Sequence, residues 1–245
     1  MNLKGMNRYQ HFGLRQEFLE HFFEYKTDCF SMNILGTRQY DALKIWLKEA
    51  ELIYPANKGK NSGAPTELFD KLDHLGPYNP LTWAIIWTNL AYNSIICKWY
   101  MLYTTPGEVY EKGDLIFMLG DDYSQSTRDN AVTALFETFR FSPIGNVLKQ
   151  GIPIAIGNSY KYARQGWESA DTIAILYSLY KWAEATGNYT FSLRQMVATR
   201  GNDNVAGVDP GAVFGIADDT LKEILQSIAF QMEKCLRVSF VSNLD

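Results

Sequence analysis

Residues 81–97, LTWAIIWTNLAYNSIIC, contain no charged side chain, and the uncharged run reaches back to Leu75. Its reading decides the fold, because a run of this length is either a membrane span or the buried centre of a soluble helical protein. Thr82, Asn89 and Asn93 share one helical stripe, while Trp83, Ile86, Trp87 and Leu90 lie on the other side. That pattern predicts a buried central helix, with no membrane as partner.

The surroundings agree with that reading. A chain of 245 residues with 47% hydrophobic and 20% charged side chains has ordinary globular usage and enough apolar material for one large core or two modest ones. The net charge of -4 excludes a uniformly basic surface, so nucleic-acid binding has to come from local patches. Cys29, Cys97 and Cys235 are scattered, which fits neither a disulfide framework nor a zinc ribbon and points to a reducing cytoplasm. MNLKGMNRYQHFGLRQ lacks the apolar stretch of a signal peptide, and export is not expected.

Helical spacing recurs on both sides of the central segment. Leu14, Phe18, Leu19, Phe22 and Phe23 mark one helix; Leu43, Trp46, Leu47 and Ala50 mark another, running from Thr37 as N-cap to about Ala50. With the short apolar piece FSMNIL between them, residues 14–50 are expected to hold three helices. ANKGKNSGAPTE reads as an exposed loop or the tip of a two-stranded wing. The expected fold is therefore mainly α: a winged-helix-like unit (1–70), a central helical unit with a second helix-turn-helix-like element (71–140), and a helical C-terminal unit (141–245). IPIAI supplies a candidate short strand.

A helix-turn-helix reader needs a supporting helix, a turn, and a second helix whose N-terminal residues reach base edges while basic side chains hold phosphates. Thr37, Arg38 and Gln39 begin the candidate reading helix; Asp41, Lys44 and Lys48 lie on its outer stripe; Lys58 and Lys60 fall on the wing. Five basic residues against Asp41, Glu49 and Glu51 leave a net of +2. The competing reading is a solvated helix face with an Asp41–Lys44 ion pair.

Two further clusters invite the same chemistry. Ser126, Thr127 and Arg128 fall where a helix begins and suit base or phosphate contact, or simple capping by Ser126 or Thr127 with Arg128 meeting solvent or Asp122. Arg140 to Gly166 contains four basic residues and no acid, and NSYKYARQGW interleaves Lys161 and Arg164 with tyrosines, as single-strand binding requires. The alternative there is a loop that packs its tyrosines on the core.

Catalytic chemistry is sparse. His11, His21 and His74 are not at metal-ligand spacing, and there is no phosphate-binding glycine loop and no nucleophile elbow. Asp121 with Asp122, or Asp203 with Asp209, would suit a magnesium nuclease but also suit turns. Neither a cofactor nor a metal is expected.

HFGLRQEFLEHFF, LGTRQYDALKIWLKEAELI, LGPYNPLTWAIIWTNLAYN with KWYMLY, STRDNAVTALFETF and DPGAVFGIADDTL, in that order, resemble a bacterial domain-of-unknown-function family. That family is catalogued beside phosphoadenosine phosphosulfate reductase-like proteins in DNA phosphorothioation and defence islands. The resemblance covers nearly the whole chain. It implies a DNA-recognition subunit, or a protein-protein adaptor, working with DNA-modification or defence proteins encoded nearby. The reductase activity itself is not implied, since the chain lacks a Ser-Gly-Gly-x-Asp-Ser pyrophosphate loop.

Overall fold

The computed structural model describes residues 1–55, 63–198, 200 and 206–239. Their order is α1 (Gln16–Tyr25), a 3-10 turn (Lys26–Ser31), α2 (Thr37–Glu49), α3 (Glu67–Asp73), α4 (Pro80–Asn93) and α5 (Ile95–Tyr103). Then follow β1 (Val109–Tyr110), α6 (Lys112–Met118), α7 (Gln125–Phe141), α8 (Pro143–Asn146), β2 (Ile152–Ile156) and β3 (Ser159–Ala163). The chain continues through α9 (Thr172–Thr186), α10 (Leu193–Val197), α11 (Pro210–Phe214) and α12 (Asp218–Gln231). The fold is mainly helical with one small antiparallel sheet, ordered β1-β3-β2.

The uncharged segment is α4 followed by α5, buried within the protein. Asn79 caps α4 by accepting the Leu81 N–H at 2.9 Å, and Pro80 occupies the first turn, where its missing N–H leaves no bond unmade. Trp83, Ile86, Trp87 and Leu90 are fully buried, and each is worth about 1.5–3 kcal/mol relative to an exposed position. Thr82 and Asn89 of the polar stripe are buried too, because they bind neighbouring backbone, while Asn93 is exposed: Thr82 Oγ1 donates to Gly76 O (2.9 Å), and Asn89 Nδ2 to Ala50 O (2.9 Å). Tyr177 on α9 donates to Asn89 Oδ1 at 2.8 Å, and the Trp87 indole donates to Val213 O on α11 at 2.8 Å. Among the described residues, no helix is long and apolar enough to cross a membrane.

One continuous apolar cluster takes Phe18, Trp46, Trp87, Phe139, Trp182 and Phe214 from helices along the whole chain. Glycine permits one close approach within it. Gly166 has a φ of +89°, and a Cβ there would lie 2.1 Å from Gly215 O, so the chain leaving β3 can press against the end of α11.

Several local expectations change. Between α1 and α2 the structure has a 3-10 turn and an irregular passage rather than a third α-helix, so the connection is longer than a tight helix-turn-helix turn. The N-cap of α2 is Gly36, not Thr37; its N–H donates to Gln39 Oε1 at 2.9 Å. The chain after α2 does begin a two-stranded approach: Ile53 bridges Pro65, and the Tyr54 N–H donates to Ala64 O at 2.9 Å. Lys58 and Lys60 lie outside the described residues.

Candidate functional site

The outer stripe of α2 is laid down by helical phase. Tyr40, Leu43, Trp46, Leu47 and Ala50 face the core, which leaves Thr37, Asp41, Lys44 and Lys48 exposed on the opposite side. Lys44 lies over the Phe30 ring at 5.0 Å from the centroid, and no Asp41–Lys44 ion pair forms. Arg38, Lys44 and Lys48 have no ion pair with any described residue. Gln39 is partly withdrawn by its bond to Gly36.

Arg164, Lys161 and Arg128 each meet partners within the protein. Arg164 is 1% exposed and is corrected from phosphate ligand to internal strut. Its guanidinium donates to Thr104 O (2.6 Å), Thr104 Oγ1 (2.9 Å) and Met101 O (3.1 Å) at the C-terminal end of α5, and to Ala212 O on α11 (2.6 Å). A cation there complements the helix dipole and satisfies carbonyls that have no helical partner. Burial pulls the Arg164 pKa down, a shift opposed by Tyr100, Tyr110 and Asp209.

Lys161 is paired with Glu111, the residue preceding α6, so a stretch without acids in sequence has one beside it in space. Arg128 bonds Gly120 O at 2.5 Å and Asp121 at 2.9 Å with a nearly buried side chain, which locks the α6–α7 turn. Ser124, rather than Ser126 or Thr127, caps α7, accepting the Thr127 N–H at 3.3 Å. Ser126 Oγ and Thr127 Oγ1 both lie in hydrogen-bond contact with Ser124 Oγ, at 3.1 and 2.9 Å.

A cleft adjoins the C-terminal end of the exposed stripe. About 390 Å³ in volume, it lies between the N-terminal segment, the end of α2 and the base of the two-stranded approach; Arg8, Lys48, Glu49, Tyr54, Thr66 and Asn93 line it. Glu49 is 4% exposed, on the same helical stripe as Ala42 and Trp46. Tyr9 donates its hydroxyl proton to Glu49 Oε2 and also contacts Ser94 Oγ at 2.7 Å; Arg8 Nη1 donates to Glu49 Oε1 at 2.8 Å. Tyr9 is fixed by stacking on Trp46, with centroids 3.8 Å apart.

Burial pushes the Glu49 carboxyl up to about 7, against the opposing pull of Tyr9, Arg8 and Lys48. Glu51, the next acid, is tied to Lys181 at 2.8 Å and accepts from Asn93 Nδ2 at 2.9 Å. The sequence reading counted both acids against the charge of the wing and missed Arg8 and Tyr9. The available signal was the phase of Glu49, a carboxylate continuing an apolar stripe.

The described residues do not gather a metal site. No group of three or more His, Cys, Asp or Glu among them is placed to hold an ion. Asp121 pairs with Arg128; Asp209 takes a two-pronged contact from Arg200 at 2.6 and 2.8 Å and caps α11; Asp203 lies outside the described residues.

No family model matches the chain, and no curated protein matches it in sequence. Two crystal structures of SspB do match in shape. The magnesium-bound form has a TM-score of 0.63 at 16% identity, covering 93% of this chain and 78% of that one. The second has a TM-score of 0.60 with the same identity and coverage. The likeness establishes a shared fold.

Proposed function

We propose that the chain is a DNA-binding subunit of a DNA phosphorothioation or phage-defence system. The fold is shared with two SspB crystal structures, and the ordered sequence motifs resemble a family found with DNA phosphorothioation systems. The observation that carries DNA contact is the outer stripe of α2, where Lys44 and Lys48, with Arg38 and Thr37 at its start, face solvent with no ion pair to a described residue. In this reading the stripe holds the sugar-phosphate backbone and the first turn approaches the bases. Fluorescence anisotropy with single-stranded and duplex DNA, with and without phosphorothioate linkages, tests it across a salt series. Lys44→Glu/Lys48→Glu should weaken binding and flatten its salt dependence. Unchanged affinity and slope would remove the assignment.

A second reading is favoured by a different observation. Phe117 on α6 and Phe230 on α12 are 84% and 91% exposed, as anchors for a partner protein would be. Under that reading the chain is an adaptor within the same kind of system. Pull-down by its neighbouring components, abolished by Phe117→Ser or Phe230→Ser while DNA affinity stays the same, would support it.

A further inference from the structure

The cleft beside the stripe has a composition that a wall of solvated charge does not require. It pairs two cations at its rim with two carboxylates, Glu49 buried below them and Glu51 already claimed by Lys181, and one side is apolar, formed by Ile53, Tyr54 and Pro55. Its 390 Å³ falls in the range of small-molecule sites. Arg8 is held by its Nε–H to Gly5 O at 2.9 Å and by Nη1 to Glu49, yet its side chain stays 39% exposed. Lys48 reaches the same opening from α2.

We propose that this cleft seats one nucleotide unit of a strand, its phosphate on Arg8 and Lys48 and its base against Ile53, Tyr54 and Pro55. The inference rests on the DNA-binding reading and gives it a second element, a pocket for an unstacked nucleotide at the end of the reading helix. A phosphate is the ligand that both cations recognise, and a planar base suits the apolar wall. Occupancy draws Arg8 away from Glu49 toward the phosphate.

That exchange couples binding to a proton. Glu49 is faced by Tyr9 and Arg8 from the N-terminal segment, by Ser94 and Cys97 from α5, and by Lys48 and Glu51 from its own end of α2. When Arg8 turns to a phosphate, Glu49 loses its nearest cation and takes up a proton more readily. Nucleotide binding is therefore tighter at pH 6 than at pH 8.

Dinucleoside monophosphates such as dTpdT and dApdA are suitable probes, because their single phosphodiester keeps one charge across that range. Isothermal titration on the full chain should show binding several-fold tighter at pH 6. Glu49→Gln should keep the affinity and lose the pH dependence. Arg8→Lys, and independently the surface variant Lys48→Ala, should each weaken binding by about tenfold, whereas Lys222→Glu on the outside of α12 should not. No binding at pH 6, equal binding by dimethyl phosphate, or indifference to both cleft variants would overturn the proposal. The two readings fail separately: duplex binding through α2 without dinucleotide binding sinks the cleft alone, while dinucleotide binding without duplex binding upholds the cleft and sinks the stripe.

Discussion

The segment from Arg140 to Gly166 holds four basic residues and no acid, while α2 mixes three basic residues with Asp41 and Glu49. Folding exchanges their electrostatic roles. Arg164 disappears beneath α5 and α11, and Lys161 meets Glu111; Lys44 and Lys48 stay in solvent while Glu49 goes inside. Charge counted along a chain is thus a poor measure of charge offered to a ligand, because carbonyls and carboxylates from distant segments can claim it first.

The strongest way to break this comparison is to remove the strut. Arg164→Met leaves the Thr104 and Ala212 carbonyls without their donor and should cost about 3–5 kcal/mol in denaturant unfolding. Arg164→Lys should restore only part, since an ammonium cannot span both helices. A loss below about 1 kcal/mol would show that the burial carries no structural weight.

Glu49 gives the next effect, and its sign is fixed by the direction of the shift. Its carboxyl is raised from 4.5 to about 7, so between those values the folded chain binds a proton that the unfolded chain has released. Stability contributed by the protonated form is present in full below about 4.5 and is lost as pH rises through about 7, on the order of 3 kcal/mol in all. Glu49→Gln cannot titrate there, so unfolding curves for the two proteins should diverge as pH increases, with the wild type falling. Parallel curves from pH 5 to 8 would refute the account of Glu49.

Smaller effects sharpen the contrast. Arg128→Ala should cost about 1–2 kcal/mol by releasing the turn between α6 and α7, seen as faster amide exchange around Gly120. Lys161→Ala, at a solvent-screened pair, should leave the unfolding midpoint near that of the wild type and DNA affinity unaltered.

These outcomes also mark what was legible beforehand. The apolar phase of α2 and the uncharged run of α4 announced two buried helices, because periodicity is local and each side chain reports its own face. The three-strand sheet was half visible in IPIAI, but its partner SYKYA read as a nucleic-acid motif because aromatic and basic residues suit both roles. Arg164 was unreadable for another reason: its acceptors are mostly backbone carbonyls, with one threonine hydroxyl, about sixty residues before it and nearly fifty after it, and no acid marks them in the sequence. Arg8 and Tyr9 reach Glu49 across some forty residues, so the cleft exists only once α2 has packed against the N-terminal segment.

The central claim is that the cations left outside on α2, rather than those in the acid-free segment, meet DNA. It is tested most directly by anisotropy of duplex and single-stranded DNA across a salt series for the wild type, Lys44→Glu/Lys48→Glu and Arg140→Glu/Lys161→Glu. The account predicts that the first double variant loses affinity and about two units of salt slope, while the second stays near wild type. The reverse pattern, or no salt-sensitive binding by the wild type at low salt, would contradict it.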